Sequence, residues 1–447
     1  MNTRRIHSRL LLALLLLAAG LAGAMMPQTA AADENGPIGS SGLTWSYTET
    51  NKTLTIKGTG DMPDFDGFDQ PWEAFQTQIE TVTIGAGVTS VGENAFLGCT
   101  ALKSVTLPAG LKTLGEAAFS GCDALTRIEL PASLETIGVK ALDGGSLTEI
   151  KVQTGNTHFE TEEGVLYNKG KTALLHYPCK KPGATFAVPA SVTTIGGFAF
   201  SECAALENIT LPDALETIGN FAFSECSALK SITLPKSVTA IGEQAFGNCT
   251  ALKDVTVLWN TPLTIPPGVF DGITPPTGVT LHVPGGTGEA YRGNAVWGEL
   301  TIVELPWGDL STGLHWAYDD ANHSLTISNP TPDSPQPMPD FADFNHQPWK
   351  DLRDKKIKTV VIETGVTGIG NKAFMNCNVL TSVTLPESGL ETIGKKSFMG
   401  CEELTSITIP KSVTTIGEQA FYSCYALGGC HRGVDGGRIH PCHLRVR

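Results

Sequence analysis

The chain reads LENITLPDALETIGNFAFSECSA over residues 206–228 and LKSITLPKSVTAIGEQAFGNCTA over residues 229–251, so one 23-residue pattern occurs twice in succession. Its common form is L-x-x-I-x-L-P-x-x-L-x-x-I-G-x-x-A-F-x-x-C-x-x. Repetition at this period indicates a solenoid, in which short units stack along one axis. Further copies begin at Leu102, Leu380 and Leu404, and degenerate copies begin at Ile79, Leu125, Leu147, Leu252 and Ile357.

The apolar positions of one copy predict the shape of a single coil. Alternating residues indicate a strand that Pro235 ends, a second apolar pair follows, and Gly242 permits a tight corner. Ala and Phe are predicted to enter the interior from a short helical turn. About six buried apolar side chains do not offset the entropy of ordering a whole coil, so one coil alone is not expected to fold. The inward positions are Leu229, Ile232, Leu234, Val238, Ile241, Ala245, Phe246 and Cys249.

This coil resembles the BspA-like, or Treponema pallidum-type, leucine-rich repeat of bacterial surface and secreted proteins. The resemblance covers most of the chain after its amino-terminal segment. It implies a curved, right-handed, β-rich leucine-rich-repeat solenoid with a parallel sheet and short helical turns. It also implies no catalytic residues and a role in adhesion or recognition, with extracellular-matrix binding described for some members.

The charge and the amino terminus indicate an exported, acidic protein. With 45 acidic and 31 basic side chains the formal net charge is −14, which excludes binding of nucleic acid through bulk positive charge. Arginines precede the apolar stretch 10–17, and an Ala-x-Ala site ends at Ala32, so residues 1–32 are predicted to be a cleaved secretory signal. The alternative, a membrane anchor, is disfavoured because the stretch is short for a bilayer span. We therefore expect secretion, with no transmembrane segment after cleavage.

The repeats fall into two arrays with the same preface. GLTWSY at Gly42 recurs as GLHWAY at Gly313, and a QPW segment follows in both. Each preface is predicted to form a β-hairpin cap over the first coil, with Trp72 and Trp349 as wedges. The predicted segments are the signal 1–32, the cap 33–78, the first array 79–305 with an insertion at about 153–183 and a closing segment at about 279–305, the linker and second cap 306–356, the truncated second array 357–427, and a basic tail 428–447.

The insertion contains GVLYNKGKTALLHYP, which predicts a hairpin that turns at 168–171. Tyr167, His176 and Tyr177 form the densest polar-aromatic cluster of the repeats, and Tyr is favoured at interfaces. These three residues are therefore candidates for partner binding. The favoured alternative is that the hairpin packs on the solenoid as structure.

Eight cysteines occupy one repeat position and are predicted to form a ladder with one thiol per coil. Adjacent rungs are close enough for disulfides, and export makes oxidation possible. Their shared place beside the core Phe favours buried, free thiols that act as small hydrophobes. The ladder consists of Cys99, Cys122, Cys203, Cys226, Cys249, Cys377, Cys401 and Cys424.

The sequence contains no motif that indicates catalysis, a cofactor or a metal site, so no enzyme is expected. An acidic cluster in the first cap has the oxygen ligands that calcium prefers, but its spacing matches no EF-hand loop. A solvated acidic turn is therefore favoured. The cluster consists of Asp61, Asp64, Asp66 and Asp69, of which the second cap keeps Asp340 and Asp343.

The outward positions of the predicted sheet form a Thr and Lys row that could bind a protein or glycan whose identity the residues do not specify. We expect a non-enzymatic extracellular binding or adhesion protein for a host matrix protein, a glycoprotein or another bacterium. The alternative is a structural surface or matrix component that self-associates, and the oligomeric state stays open. The candidate partner-binding residues in this row are Lys103, Thr106, Thr210, Lys230, Thr233, Lys253 and Thr256.

The tail GGCHRGVDGGRIHPCHLRVR does not continue the pattern after Leu427. A basic or metal-binding tail is one interpretation, but its Cys and His spacing matches no common zinc motif. The favoured interpretation is a frameshift, because another frame allows LEDVTVEWT, which parallels LKDVTVLWN at 252–260.

Overall fold

The computed structural model describes residues 34–273, 278–331, 333–353 and 356–427, together with the strand Arg445–Val446. The predicted signal segment, and the predicted tail apart from that strand, lie outside the described residues. Within the described part, a regular coil contributes two strands, such as Ser231–Leu234 and Ala240–Ile241. The next coil pairs in parallel with the same registers, so the chain is a parallel β-solenoid. The predicted β-rich repeat solenoid with parallel sheets is confirmed, and the two arrays with hairpin caps stay a prediction.

The first strands of the coils form what we call the long-strand ladder, which is divided into separate sheets. A three-stranded antiparallel segment precedes the first coil of each array. The sheets are Glu34–Pro37, Thr44–Thr48, Thr53–Lys57, Thr81–Ile84 and Ser104–Thr106; Arg127–Leu130 and Glu149–Val152; Thr185–Ala187, Asn208–Thr210, Ser231–Leu234, Asp254–Val257, Thr280–Val283 and Thr301–Glu304; and Trp307–Asp309, His315–Asp319, Ser324–Ser328, Thr359–Ile362, Ser382–Thr384, Ser406–Ile409 and Arg445–Val446.

The second strands of the coils, such as Ala240–Ile241, form what we call the short-strand ladder. Its sheets are Gly60–Asp61, Val88–Val91, Thr113–Leu114 and Thr136–Ile137; Phe159–Glu162, Val165–Asn168, Ala173–His176, Thr194–Ile195, Thr217–Ile218 and Ala240–Ile241; and Gln336–Pro337, Val366–Ile369, Thr392–Ile393 and Thr415–Ile416. Short helices are Glu73–Phe75, Gly288–Arg292, Trp297–Glu299, Phe344–His346, Lys350–Arg353 and Tyr425–Leu427.

The segment that carries Ala and Phe differs from the expected helical turn. The residue before the Ala has left-handed backbone angles, as at Gln244 with φ 48°, and so has the residue before the ladder Cys, as at Asn248 with φ 58°. A right-handed helix does not contain such residues, so the segment is a series of turns. These turns still direct Ala245 and Phe246 into the interior, where both are fully buried.

Rows of identical side chains fill the core. The rings of Phe200, Phe223 and Phe246 stack with centroid distances of 5.0 and 5.3 Å. This spacing is close to the distance between neighbouring strands, so the rings of these three successive coils stack as a column. At the start of each array a Trp takes the place of the Phe. Trp72 stacks on Phe96 at 5.7 Å, and Trp349 stacks on Phe374 at 5.5 Å.

The insertion consists of three antiparallel strands, Phe159–Glu162, Val165–Asn168 and Ala173–His176. The last strand pairs in parallel with Thr194–Ile195, so the insertion continues the short-strand ladder. In the long-strand ladder, by contrast, the insertion interrupts the pairing between coils. Ile150 N donates to Gly164 O at 3.0 Å, so the insertion occupies the edge of Glu149–Val152 that the next coil would otherwise pair with.

The two arrays are joined by a short turn. The strand Thr301–Glu304 leads within two residues into Trp307–Asp309, the first strand of the second preface. Gly285 N donates to Trp307 O at 2.7 Å, and Lys236 forms an ion pair with Asp309. Residues before Pro306 therefore contact residues after it, through a backbone hydrogen bond and an ion pair. The domain boundaries themselves stay predictions.

The Gly that recurs at the corner of the regular coils lies where the backbones of neighbouring coils come close together. A Cβ at Gly242 would lie 2.4 Å from the backbone N of Asn220 in the preceding coil, a distance that real Cβ atoms do not reach. Equivalent glycines show the same crowding, for example Gly219 at 2.5 Å from Gly197 N. The pattern therefore requires Gly here because another coil's backbone takes the space of a side chain.

We expect Gly242→Ala to lower the free energy of unfolding by about 1–3 kcal/mol, since the added methyl must push two coils apart. The matched control is Gly110→Ala, where the nearest atom would lie at 3.7 Å and the change should cost little or nothing. Thermal unfolding followed by circular dichroism measures both. Equal midpoints for the two variants would contradict the close-approach explanation.

Candidate partner-binding surface

The six-stranded sheet of the long-strand ladder, which begins at Thr185–Ala187 and ends at Thr301–Glu304, has a regular row of Thr side chains on its outward face. Thr233 lies opposite Thr256, and Thr256 lies opposite His282 on the following strand. Thr210 and Thr233 are exposed, whereas Thr256 is half-buried. Inward neighbours such as Ile232 and Leu234 are buried, as the alternation in the sequence predicts.

The lysines beside this row pair with acids on the preceding coil. Lys230 Nζ lies 2.5 Å from Glu207 Oε2, and Lys103 Nζ lies 2.6 Å from Glu80 Oε2. Lys253 is exposed next to Lys230 on the following coil. Exposed ion pairs of this kind stabilise a protein by only about 0–1 kcal/mol, so a partner's carboxylate can replace the Glu at low cost.

Thr106 does not belong to the same sheet as the other candidate threonines. It lies on the strand Ser104–Thr106 at the edge of the first sheet, opposite Thr83. The two-stranded sheet and the insertion separate it from Thr210. The candidate row is therefore divided, and Thr210, Thr233 and Thr256 share the sheet that spans residues 185–304.

The three candidates in the insertion are buried. Tyr167 is 1% exposed, Tyr177 is 2% exposed and His176 is 9% exposed. Burial raises the pKa of the Tyr177 hydroxyl to about 12 and lowers the pKa of His176 to about 4. The three side chains pack into the core, because the insertion supplies a strand to the short-strand ladder. We therefore correct their candidacy for partner binding and keep them as core residues.

The ladder cysteines are free and buried. Most of their thiols donate to the carbonyl of the core Phe one coil earlier, as Cys249 Sγ does to Phe223 O at 3.1 Å. Burial raises the pKa of Cys249 and Cys99 to about 12. In the rungs that make this bond, a thiol held as a neutral hydrogen-bond donor in an apolar interior is unreactive, which is the role that the repeat position indicates.

The acidic cluster of the first preface has structural partners. Asp64 Oδ1 accepts from Glu93 N at 2.8 Å, and Asp61 Oδ1 accepts from Thr89 Oγ1 at 2.6 Å. Asp340 accepts from Asn371 N at 2.7 Å in the second array. These carboxylates attach each preface to its first coil. Across the described residues, no group of three or more His, Cys, Asp or Glu side chains is placed to hold a metal ion.

A second surface feature lies on the turns and was not identified from the sequence. Phe198 and Phe221 occupy the left-handed position that other coils fill mainly with polar residues, are half-buried, and stack with centroids 4.9 Å apart. Lys140 Nζ lies 4.2 Å from the Phe198 ring centre. The signal available in the sequence was a Phe at a repeat position that otherwise varies among small and polar types.

The turns also carry an acidic depression of about 490 Å3 lined by Glu202, Ala204, Glu225, Ser227 and Asn248. The neighbouring Asp143 is buried, and its Oδ1 has no hydrogen-bond partner. Burial and the nearby Glu202 carboxylate raise the pKa of Asp143 to about 7. Asp143 takes a repeat position that is Ser in the next regular coils, which is the signal that the sequence offered.

A model of the BspA type leucine-rich repeat region matches residues 73–173, 176–280 and 352–430, which is more than half of the chain. The chain belongs to the BspA-type leucine-rich-repeat family. No curated protein sequence matches this BspA-type chain. No helix among the described residues is long and apolar enough to cross a membrane.

Three solved structures that the chain resembles come from bacteria. A leucine-rich-repeat protein from Eubacterium ventriosum is 25% identical, with 88% of this chain and 95% of that chain covered and a TM-score of 0.42. The pneumococcal vaccine antigen PcpA is 17% identical over 59% of this chain and 98% of its own, with a TM-score of 0.35. A leucine-rich cell surface protein from Faecalibacterium prausnitzii is 21% identical over 89% and 88%, with a TM-score of 0.23.

We expect Asp143→Asn to stabilise this BspA-type protein at pH 8 and to have little effect at pH 4. The native carboxyl keeps its proton up to about pH 7, whereas the unfolded carboxyl ionises near its ordinary value of 3.8. Native stability therefore falls as the pH rises from about 4 to about 7 and stays reduced above that, a loss that the amide avoids. The gain at pH 8 is on the order of 2–4 kcal/mol. Thermal midpoints of the variant and the unmodified protein at each pH measure it.

The buried His176 also makes the protein less stable on acidification, because its pKa is lowered in the native state. This contribution is the same in the variant and in the unmodified protein, so it cancels when the two are compared at one pH. The control is Asp213→Asn at an exposed position, which should leave the midpoint unchanged at both pH values. A gain for Asp143→Asn that is the same at pH 4 and pH 8 would show that ionisation is not its cause.

Proposed function

We propose that this protein is exported and binds a macromolecule, either a protein or a glycan, through the outward face of the six-stranded sheet. The observation that carries the proposal is the row of Thr210, Thr233 and Thr256 on the outward face, of which Thr210 and Thr233 are exposed and Thr256 is half-buried. Family membership supports a recognition role, since BspA-type repeats occur in bacterial surface and secreted proteins. Export is supported by the signal sequence predicted over residues 1–32.

The chemistry of this face suits a polar partner. Thr hydroxyls donate and accept hydrogen bonds, and Lys230, Lys253 and Asp254 add charges of both signs. The strands keep these groups at a fixed spacing and orientation, so little conformational entropy is lost when a partner binds. We infer a hydrogen-bonded contact spread over several coils, without a deep pocket and without chemistry on the bound molecule.

A binding screen of the exported protein against matrix proteins, mucins and glycans tests the proposal, with one matched pair of variants. Thr233→Arg places a bulky cation on the proposed face and should weaken binding at least about tenfold, or 1.4 kcal/mol. Thr239→Arg makes the same change in the same coil, at an exposed position just before the short strand, and should leave affinity unchanged. Equal losses for both variants, or no ligand at all in the screen, would contradict the proposal.

A second candidate function is self-association into a surface or matrix structure. It is supported by Tyr422 and Tyr425, which are 47% and 67% exposed in the last described coil, where apolar surface is available to another copy. Light scattering across concentration separates the two proposals, because a self-associating chain grows in mass whereas a binding protein keeps one mass.

A further inference from the structure

Cys179 is a cysteine outside the eight-member ladder. It lies just after the strand Ala173–His176, where the insertion returns to the regular coil, and it is half-buried. Its Sγ is 3.0 Å from Cys203 Sγ and 3.0 Å from Ser201 O. The insertion therefore brings a second thiol into contact with one rung of the ladder.

Cys203 differs in the partner of its thiol from the rungs that donate to the core Phe of the preceding coil. The corresponding carbonyl for Cys203 is Tyr177 O, and the distance from Sγ to that oxygen is 3.9 Å, at the limit of any hydrogen bond to sulfur. Its closest partner is the Cys179 sulfur. In regular rungs the Sγ to O distance is 3.1 Å for the pairs Cys226 with Phe200, Cys249 with Phe223 and Cys424 with Phe398.

We infer that Cys179 and Cys203 form a disulfide in the exported protein, which joins the insertion covalently to the coil that follows it. The two sulfurs need to approach by about 1 Å to reach bonding distance, which side-chain rotation can supply. Export places the pair in a compartment where disulfides persist. This inference rests on the export in the proposed function, and it is independent of what the protein binds.

The chemistry is thiol-disulfide exchange with an external disulfide, such as an oxidised thiol-disulfide oxidoreductase. Cys179 is the more accessible thiol, so its thiolate attacks the oxidant and forms a mixed disulfide, which releases one oxidant thiol. Cys203 then attacks the Cys179 sulfur and releases the second oxidant thiol. The protein loses two electrons and two protons, and both end on the two thiols of the reduced oxidant.

The position of the bond gives it a structural purpose. The insertion interrupts the long-strand ladder, so fewer strand hydrogen bonds cross between the coils on its two sides. Tyr177 N to Ala199 O, at 2.8 Å, and Lys180 N to Leu147 O, at 3.0 Å, are among the bonds that hold the returning segment. A disulfide at Cys179 strengthens the attachment at this break and keeps the six-stranded face aligned with the coils before it.

The first test uses the full chain produced in an oxidising secretory compartment and alkylated while denatured, without reductant. Peptide mass spectrometry should find Cys179 linked to Cys203, at a mass lower by two hydrogen atoms, and reduction should separate the two peptides. The other ladder cysteines should be alkylated. Alkylation of both Cys179 and Cys203 before reduction, or a link from Cys179 to another cysteine, would overturn the inference.

The second test compares thermal midpoints with and without reductant. The unmodified protein should lose several degrees on reduction, whereas Cys179→Ser should show no shift. The matched control Cys249→Ser should keep the full shift, because its thiol belongs to a regular rung. A reductant shift that survives in Cys179→Ser would refute the inference. Retention of ligand binding by Cys179→Ser would leave the proposed function intact, so the two proposals fail separately.

Discussion

Contact between neighbouring coils is the interaction on which the rest of this structure depends. At both ladders a regular coil forms backbone hydrogen bonds with its neighbours, as Gly242 N does by donating to Ile218 O of the preceding coil. At the turns it donates to the next coil, as Phe200 N does to Ala222 O and Phe223 N does to Ala245 O, each at 2.8 Å. The core Phe rings, the ladder thiols and the crowded corner glycines recur from coil to coil at the same spacing along the solenoid axis. A coil removed from this stack would expose its interior and lose these partners together.

The same constraint explains the insertion and the surface. Where the chain departs from the repeat, the insertion still fills the rows, because Tyr177 stacks on Phe200 at 5.0 Å and Ala173–His176 continues the short-strand ladder. The insertion does not continue the long-strand ladder, because Gly164 occupies the edge of the strand Glu149–Val152. The outward Thr row is therefore divided at this break, and the proposed binding face lies on the coils that follow it.

The sequence predicted the features that repeat. Inward Leu and Ile, the core Phe and the buried Cys recur at one spacing, so twenty-three residues carry the information for every coil. It did not predict features that occur once and depend on contacts across coils, such as the Gly164 contact with Ile150, the nearness of Cys179 to Cys203 and the orphaned carboxyl of Asp143. The left-handed turn residues were also not predicted, because a polar residue such as Asn248 is compatible with a short helical turn as well as with a left-handed backbone.

Deletion of one whole period, residues 206–228, tests the stacking account most directly, with deletion of 206–217 as the out-of-register control. The whole-period deletion joins positions that are already equivalent, so we expect cooperative unfolding with a similar midpoint and a particle shorter by about one strand spacing, 4.8 Å, in a crystal structure. The half-period deletion should unfold the region. Equal tolerance of both deletions, or collapse of both, would contradict the claim that register between coils holds the protein together.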